Sequence, residues 1–218
     1  MRDDRQINYD HVVAYLESFD DPARLADLKD YAAAQAVPIV EYETERMIHF
    51  LLATLKAESL LEIGTAIGYS AISFAREASL KRLLTLELRD DYTHIARQNI
   101  ASYGLEAVIE VRQGDALDTL QDIDETFDVI FMDAAKGQYQ KYYDLAMPLL
   151  KPEGVLICDN VLFRGQVTND ALMLKRTKTM VQRLRRFLDA VLHDDTVVAT
   201  LIPIGDGVLL VRRQHEKN

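Results

Sequence analysis

Apolar positions change their rhythm near residue 58. Before it they recur at helical spacing. In EYETERMIHFLLATLKA (41–57), Met47, Ile48, Leu51, Leu52 and Leu55 share one face. An earlier helix is predicted over DPARLADLKDYAAAQ (21–35), with Asp21 as N-cap and Pro22 at the first helical position. From residue 59 short apolar runs alternate with helical stretches. SLLEIG (59–64), RLLTLEL (82–88), AVIEVRQGD (107–115), FDVIFMD (127–133) and GVLICDN (154–160) read as strands. Helices are predicted at 69–79, 90–103 and 139–150, with a polar connector between the third and fourth strands. A long helical stretch around 169–193 precedes TVVATLIPIGDGVLLVRR, whose two β-rich runs meet at Gly205-Asp206-Gly207, a hairpin signal. Strands separated by helices imply a parallel sheet with right-handed crossovers. The expected architecture is α/β, an open sheet ending in an antiparallel hairpin. Residues 1–57 form a helical cap and 58–218 the main domain, together one structural unit.

Ligands of such sheets bind beyond the carboxyl ends of the strands. The first tip, EIGTAIGYS (62–70), carries Gly64 and Gly68, which let backbone approach a ligand. The second ends at Glu87, an acid placed to accept ribose hydroxyls. The third is Gly114-Asp115-Ala116, suited to flank an adenine. Each acid alone reads as a helix cap or surface charge; together they favour a cofactor containing adenosine. The fourth tip is Asp133 and the fifth Asp159-Asn160. Two carboxylates and an amide oxygen are hard ligands of the kind Mg²⁺ prefers, and no His or Cys joins them to suggest zinc. A hydroxyl on such a metal becomes more acidic, and Lys136, three residues after Asp133, can take its proton or steady the anion. The oxyanion could then attack an electrophilic methyl group, with positioning supplying roughly 7–11 kcal/mol of the barrier reduction.

Composition narrows the setting. The 218 residues are 49% hydrophobic, enough for a full core. No apolar run approaches the ~20 residues of a membrane span. The charged start MRDDRQINYD does not read as a secretory signal. A single cysteine, Cys158, inside an apolar strand reads as a packing residue and suits a reducing cytoplasm. Net charge is −10, which argues against general nucleic-acid binding. The distribution is uneven, however. Arg164, Lys175, Arg176, Lys178, Arg183, Arg185 and Arg186 face only Asp170 in their segment, a local +6 against −16 elsewhere. Such a block is a solvated helix face or a surface that touches phosphates. His11, His49, His94, His193 and His215 show no ligand spacing and read as surface or helix residues. Tyr139, Tyr142 and Tyr143 sit at helical spacing and read as packing.

The wording LEIGTAIGYSA, MDAAKGQY and CDNVLFRG resembles the metal-dependent, S-adenosylmethionine-dependent O-methyltransferases of the catechol and caffeoyl-CoA type, over roughly 38–213. The resemblance implies a Rossmann-like class I methyltransferase sheet of seven strands. It implies that Val40, Glu62, Gly64, Ser70, Glu87, Asp115, Ala116 and Asp133 contact S-adenosylmethionine. It makes Asp133, Asp159 and Asn160 ligands of Mg²⁺, or of Mn²⁺ in its place, and Lys136 the catalytic base. AAKGQYQ, DNVLFRG and IPIGDG further resemble the bacterial branch that methylates 5-hydroxyuridine at the tRNA wobble position. Ala134 and Ala135 then leave an open pocket, and the basic segment 164–186 meets anticodon-stem phosphates. A homodimer packed through the N-terminal helices is expected, as in relatives. The alternative acceptor is a small catechol or a caffeoyl-CoA-like aromatic. An NAD-dependent oxidoreductase would leave Asp133, Asp159 and Asn160 without a role, and a non-catalytic RNA-binding module would have no use for Lys136.

Overall fold

The computed structural model describes residues 7–77 and 79–214. His215 and the first six residues of the supposed non-secretory start lie outside them. Seven strands form one sheet in the order β3-β2-β1-β4-β5-β7-β6. They are β1 (Ser59–Ile63), β2 (Arg82–Glu87), β3 (Ile109–Gln113), β4 (Phe127–Met132), β5 (Leu150–Cys158), β6 (Val197–Ile202) and β7 (Val208–Arg213). The first five run parallel, and β7 is antiparallel to both β5 and β6, which is the expected hairpin. The chain direction across the sheet reverses between β1 and β4, so the crevice of the fold opens beyond their ends.

Alternation along each strand feeds two cores. Leu60 packs with α3 (Tyr42–Leu55), α4 (Tyr69–Glu77) and α5 (Asp90–Ser102), while Leu61 and Ile63 pack with α7 (Tyr139–Ala146) and α8 (Lys178–Leu192). The cap helices α1 (Asp10–Glu17) and α2 (Ala26–Gln35) precede α3, and Leu28, Ala32, Ile48 and Leu52 share the first core with the sheet. On α8, Val181, Leu184, Phe187, Leu188 and Val191 form the buried stripe. Among the described residues no helix is long and apolar enough to cross a membrane.

Three expectations about helices change. The helix predicted over 21–35 begins at Ala26; Asp21 instead caps a turn by accepting from the Ala23 N–H at 2.9 Å. Leu25 breaks the helix at φ 52°, because its side chain is drawn into the core and Arg24 toward Glu45. The connector after β3 holds a short helix, α6 (Ala116–Thr119). The long helix around 169–193 begins only at Lys178, preceded by one 3₁₀ turn over Asp170–Leu172. Lys175 and Arg176 therefore lie in a loop, not on a helix face.

Candidate active site

Two cavities meet at the β1/β4 crevice. The first, about 580 Å³, has a size suited to a small cofactor. Of the residues expected around a donor, Val40, Gly64, Ser70, Glu87, Asp115, Ala116 and Asp133 line it. Glu62 does not. It is fully buried, and its carboxylate accepts the hydroxyls of Ser70 and Thr85, each at 2.5 Å. Burial pushes its carboxyl up to about 7. Glu62 thus fixes the side chain of Ser70, which does line the cavity. Glu87 holds the loop after β1 by accepting from the Ala66 N–H at 2.8 Å, and it also accepts from the Arg89 N–H. Asp115 caps α6 through the Leu117 N–H while lining the cavity, so both of its readings hold at once. Arg89, stacked 4.1 Å over the Tyr92 ring, and the exposed Leu88 complete the wall. These three went unread in the sequence; an apolar residue left outside immediately after an acidic tip was the available signal.

Asp133, Lys136 and Asn160 line both cavities, and Gly64 packs against the Asp133 main chain. The glycine sits at φ 107°, and a Cβ there would overlap the Asp133 carbonyl oxygen. Only glycine lets the tips of β1 and β4 come this close. The second cavity, about 490 Å³, lies beyond Asp133, Asp159 and Asn160. Met132 pairs with Cys158 in the sheet, so Asp133 and Asp159 leave neighbouring strands side by side. Asp159 is 1% exposed, and its carboxylate accepts from the Asn160 N–H at 2.7 Å. Burial, then the charge of Asp133, push it up to about 7. Lys136 forms an ion pair with Asp133. Asn160 takes a left-handed conformation at φ 56°. Val161 and Leu162 then donate to the carbonyls of Gly207 and Asp206, which ties this loop to the β6–β7 hairpin. Tyr139 packs as expected, its hydroxyl donating to the Asp159 carbonyl at 2.9 Å.

The donor set fits a divalent cation. Two hard carboxylates and an amide stand together with the ammonium of Lys136, and among the described residues the buried Asp159 has no ion-pair partner of its own. No group of three His, Cys, Asp or Glu forms a metal-holding cluster among the described residues, so such a site would depend on the Asn160 oxygen. The sequence missed the wider acidity of this cavity. Glu41, Glu43 and Asp206 also line it, and burial raises the Asp206 carboxyl.

The basic segment splits in space. Arg164, Lys175, Arg176, Lys178, Arg183 and Arg186 are exposed. Arg185, expected among the tRNA contacts, turns inward. It donates to the carbonyls of Val167 and Gln166 and pairs with Asp170, holding the 166–170 loop onto α8. His49 is a helix residue, one of the two readings expected, but a buried one. It lies in the seam between cap and sheet, with Nε2 3.0 Å from the Ser73 hydroxyl.

A seven-stranded Rossmann-like sheet with its cofactor-sized cavity at the topological switch point, closed by an antiparallel hairpin, defines a class I S-adenosylmethionine-dependent methyltransferase. The chain belongs to the O-methyltransferase family, whose sequence profile matches residues 16–214, and within it to the catechol and caffeoyl-CoA type. It is 34% identical over 199 residues to a catechol O-methyltransferase of Niastella koreensis, covering 88% of each chain. It is also 34% identical to a catechol O-methyltransferase of Mycobacterium tuberculosis over 189 residues, 82% of this chain and 86% of the relative. The O-methyltransferase of Bacillus cereus, solved in complex with SAH, superposes with a TM-score of 0.82 at 32% identity, covering 94% of this chain and 97% of that one.

Proposed function

We propose that this enzyme methylates the 5-hydroxyl of 5-hydroxyuridine at the tRNA wobble position, giving 5-methoxyuridine. The observation that carries the reading is charge segregation. The acceptor cavity is walled by carboxylates, including Glu41, Glu43, Asp133, Asp159 and Asp206, so it repels phosphate and admits a neutral base. Lys175, Arg176, Lys178, Arg183 and Arg186 stand outside on exposed positions, where a nucleic-acid backbone would lie, while the exposed Arg164 sits at the cavity itself.

Val40, Gly64, Ser70, Glu87, Asp115, Ala116 and Asp133 would hold S-adenosylmethionine. Asp133, Asp159 and Asn160 would hold Mg²⁺ or Mn²⁺, whose charge acidifies the acceptor hydroxyl. Lys136, once its ammonium has released a proton to solvent, would accept the hydroxyl proton at Nζ as a neutral amine. The oxygen takes the methyl carbon as the carbon–sulfur bond breaks, and that electron pair returns to sulfur. Glu62 keeps the Ser70 hydroxyl aimed along the cavity wall. A cytoplasmic dimer is part of the same proposal.

The test incubates the protein with hypomodified tRNA, labelled S-adenosylmethionine and Mg²⁺, and digests the product to nucleosides. Labelled 5-methoxyuridine is expected; methyl transfer undiminished in excess EDTA removes the metal. The alternative acceptor, a small catechol, is favoured by the names of the two relatives above. It becomes the function if catechol is methylated and hypomodified tRNA is not.

A further inference from the structure

Many cations of this chain are neutralised where they stand, as Arg24 is by Glu45, Arg82 by Glu125 and Lys151 by Asp128. Lys141 on α7 and Arg183 and Arg186 on α8 are different. Among the described residues none of the three has a carboxylate partner. They converge on a third cleft of about 460 Å³, walled also by Gly137, Gln138 and the buried Phe187. No acid among the described residues lines this cleft, on a chain with a formal charge of −10. Its position matters as much as its charge. Lys136 borders both this cleft and the acidic acceptor cavity, and Gln138 borders both this cleft and the donor cavity.

Gly137 sharpens the point. Its φ is not left-handed, so the backbone does not demand glycine here. A Cβ would sit 3.8 Å from an Arg183 guanidinium nitrogen and 3.8 Å from Met180, an ordinary contact. What the glycine preserves is room beside the guanidinium. Two guanidinium forks and an ammonium around an acid-free space match the charge and oxygen geometry of a phosphate.

We propose that the cleft binds a phosphate group of the acceptor, anchoring it while its reacting hydroxyl is presented to Lys136. The inference rests on the acceptor reading above in taking that phosphate from the linkage next to the modified nucleotide. A phosphorylated thioester carrier would offer the same chemistry to the same three cations.

The test compares 5-hydroxyuridine with its 3′,5′-bisphosphate as acceptors for the full chain. The wild-type kcat/KM for the bisphosphate is expected to exceed that for the nucleoside roughly tenfold to a hundredfold, since each charge-assisted hydrogen bond is worth about a factor of ten or more. Combining Lys141→Glu with Arg183→Glu should bring this ratio toward one. Gly137→Val, which narrows the cleft beside Arg183 without removing a charge, should do the same. A defect in folding or donor binding lowers both rates and leaves the ratio standing. A ratio of one in the wild type, or a ratio kept in both variants, overturns the proposal. If neither nucleoside is methylated while catechol is, the tRNA reading fails and the cleft is judged separately, by phosphorus NMR titration with inorganic pyrophosphate. Binding lost in the double variant then retains the phosphate site for another acceptor; equal binding, or none, removes it.

Discussion

Glu45 in the seam under the cap and Asp159 at the tip of β5 are each 1% exposed. Their surroundings are opposite. Glu45 meets the guanidinium of Arg24, the hydroxyl of Ser73 and, at 3.5 Å, that of Tyr69. Asp159 meets one peptide N–H, the charge of a second carboxylate and, more weakly, that of Lys136, whose ammonium is paired with that second carboxylate. Burial is the same; compensation is not. The seam is closed within the chain and serves the fold. The strand tip is left open, and its deficit is what an incoming cation would fill. Buried polarity alone therefore does not mark a functional carboxylate; a buried carboxylate left short of both donors and an ion-pair partner is the stronger sign.

The contrast can be broken most directly at Asp159. Asp159→Asn keeps the shape and removes the charge. Activity should fall on the order of a thousandfold, as when a charge-stabilising group is removed, while the thermal midpoint holds or rises. A midpoint that drops sharply would place Asp159 with the structural carboxylates. Glu45→Gln is the mirror experiment. It leaves Arg24 buried without its partner and should cost about 3 kcal/mol in urea unfolding, with kcat little changed in the folded fraction. Glu62 lies between the two, buried against hydroxyls with no cation. Its carboxyl is raised from 4.5 to about 7, so its contribution to stability is full below pH 4.5 and is lost as pH rises through 7. Urea titrations across this window should show a decline of roughly 3 kcal/mol in the wild type that Glu62→Gln lacks. The smallest expected effect is ligand stabilisation. Mg²⁺ at ten times its Kd should stabilise the wild type by about 1.4 kcal/mol and Asp159→Asn hardly at all; equal shifts in both would put the metal elsewhere.

The strand tips were legible because buried parallel strands read as apolar runs, and the first polar residue after each run must face the crevice. Asp133, Asp159 and Glu87 came out of that rule. Glu62 did not. It falls inside a run, and spacing does not say whether an interior acid reaches a ligand or only a neighbouring hydroxyl. Arg185 was misplaced for a related reason. Its partners are mainly the carbonyls of Gln166 and Val167, which carry no sequence signature. The start of α2 was misread because Asp21-Pro22 is a sound local start signal, overruled by the burial of Leu25. The seam itself was invisible, since Arg24, Glu45 and Ser73 belong to three separate elements.

Pressed against Gly64, Asp133 is a wall shared by the room for the methyl donor and the acceptor cavity. Two guests that press on the same wall are not independent. Any factor by which the donor tightens the hold on a cation must equal the factor by which that cation tightens the hold on the donor. The order in which the two bind then changes the route to the loaded enzyme and not its free energy.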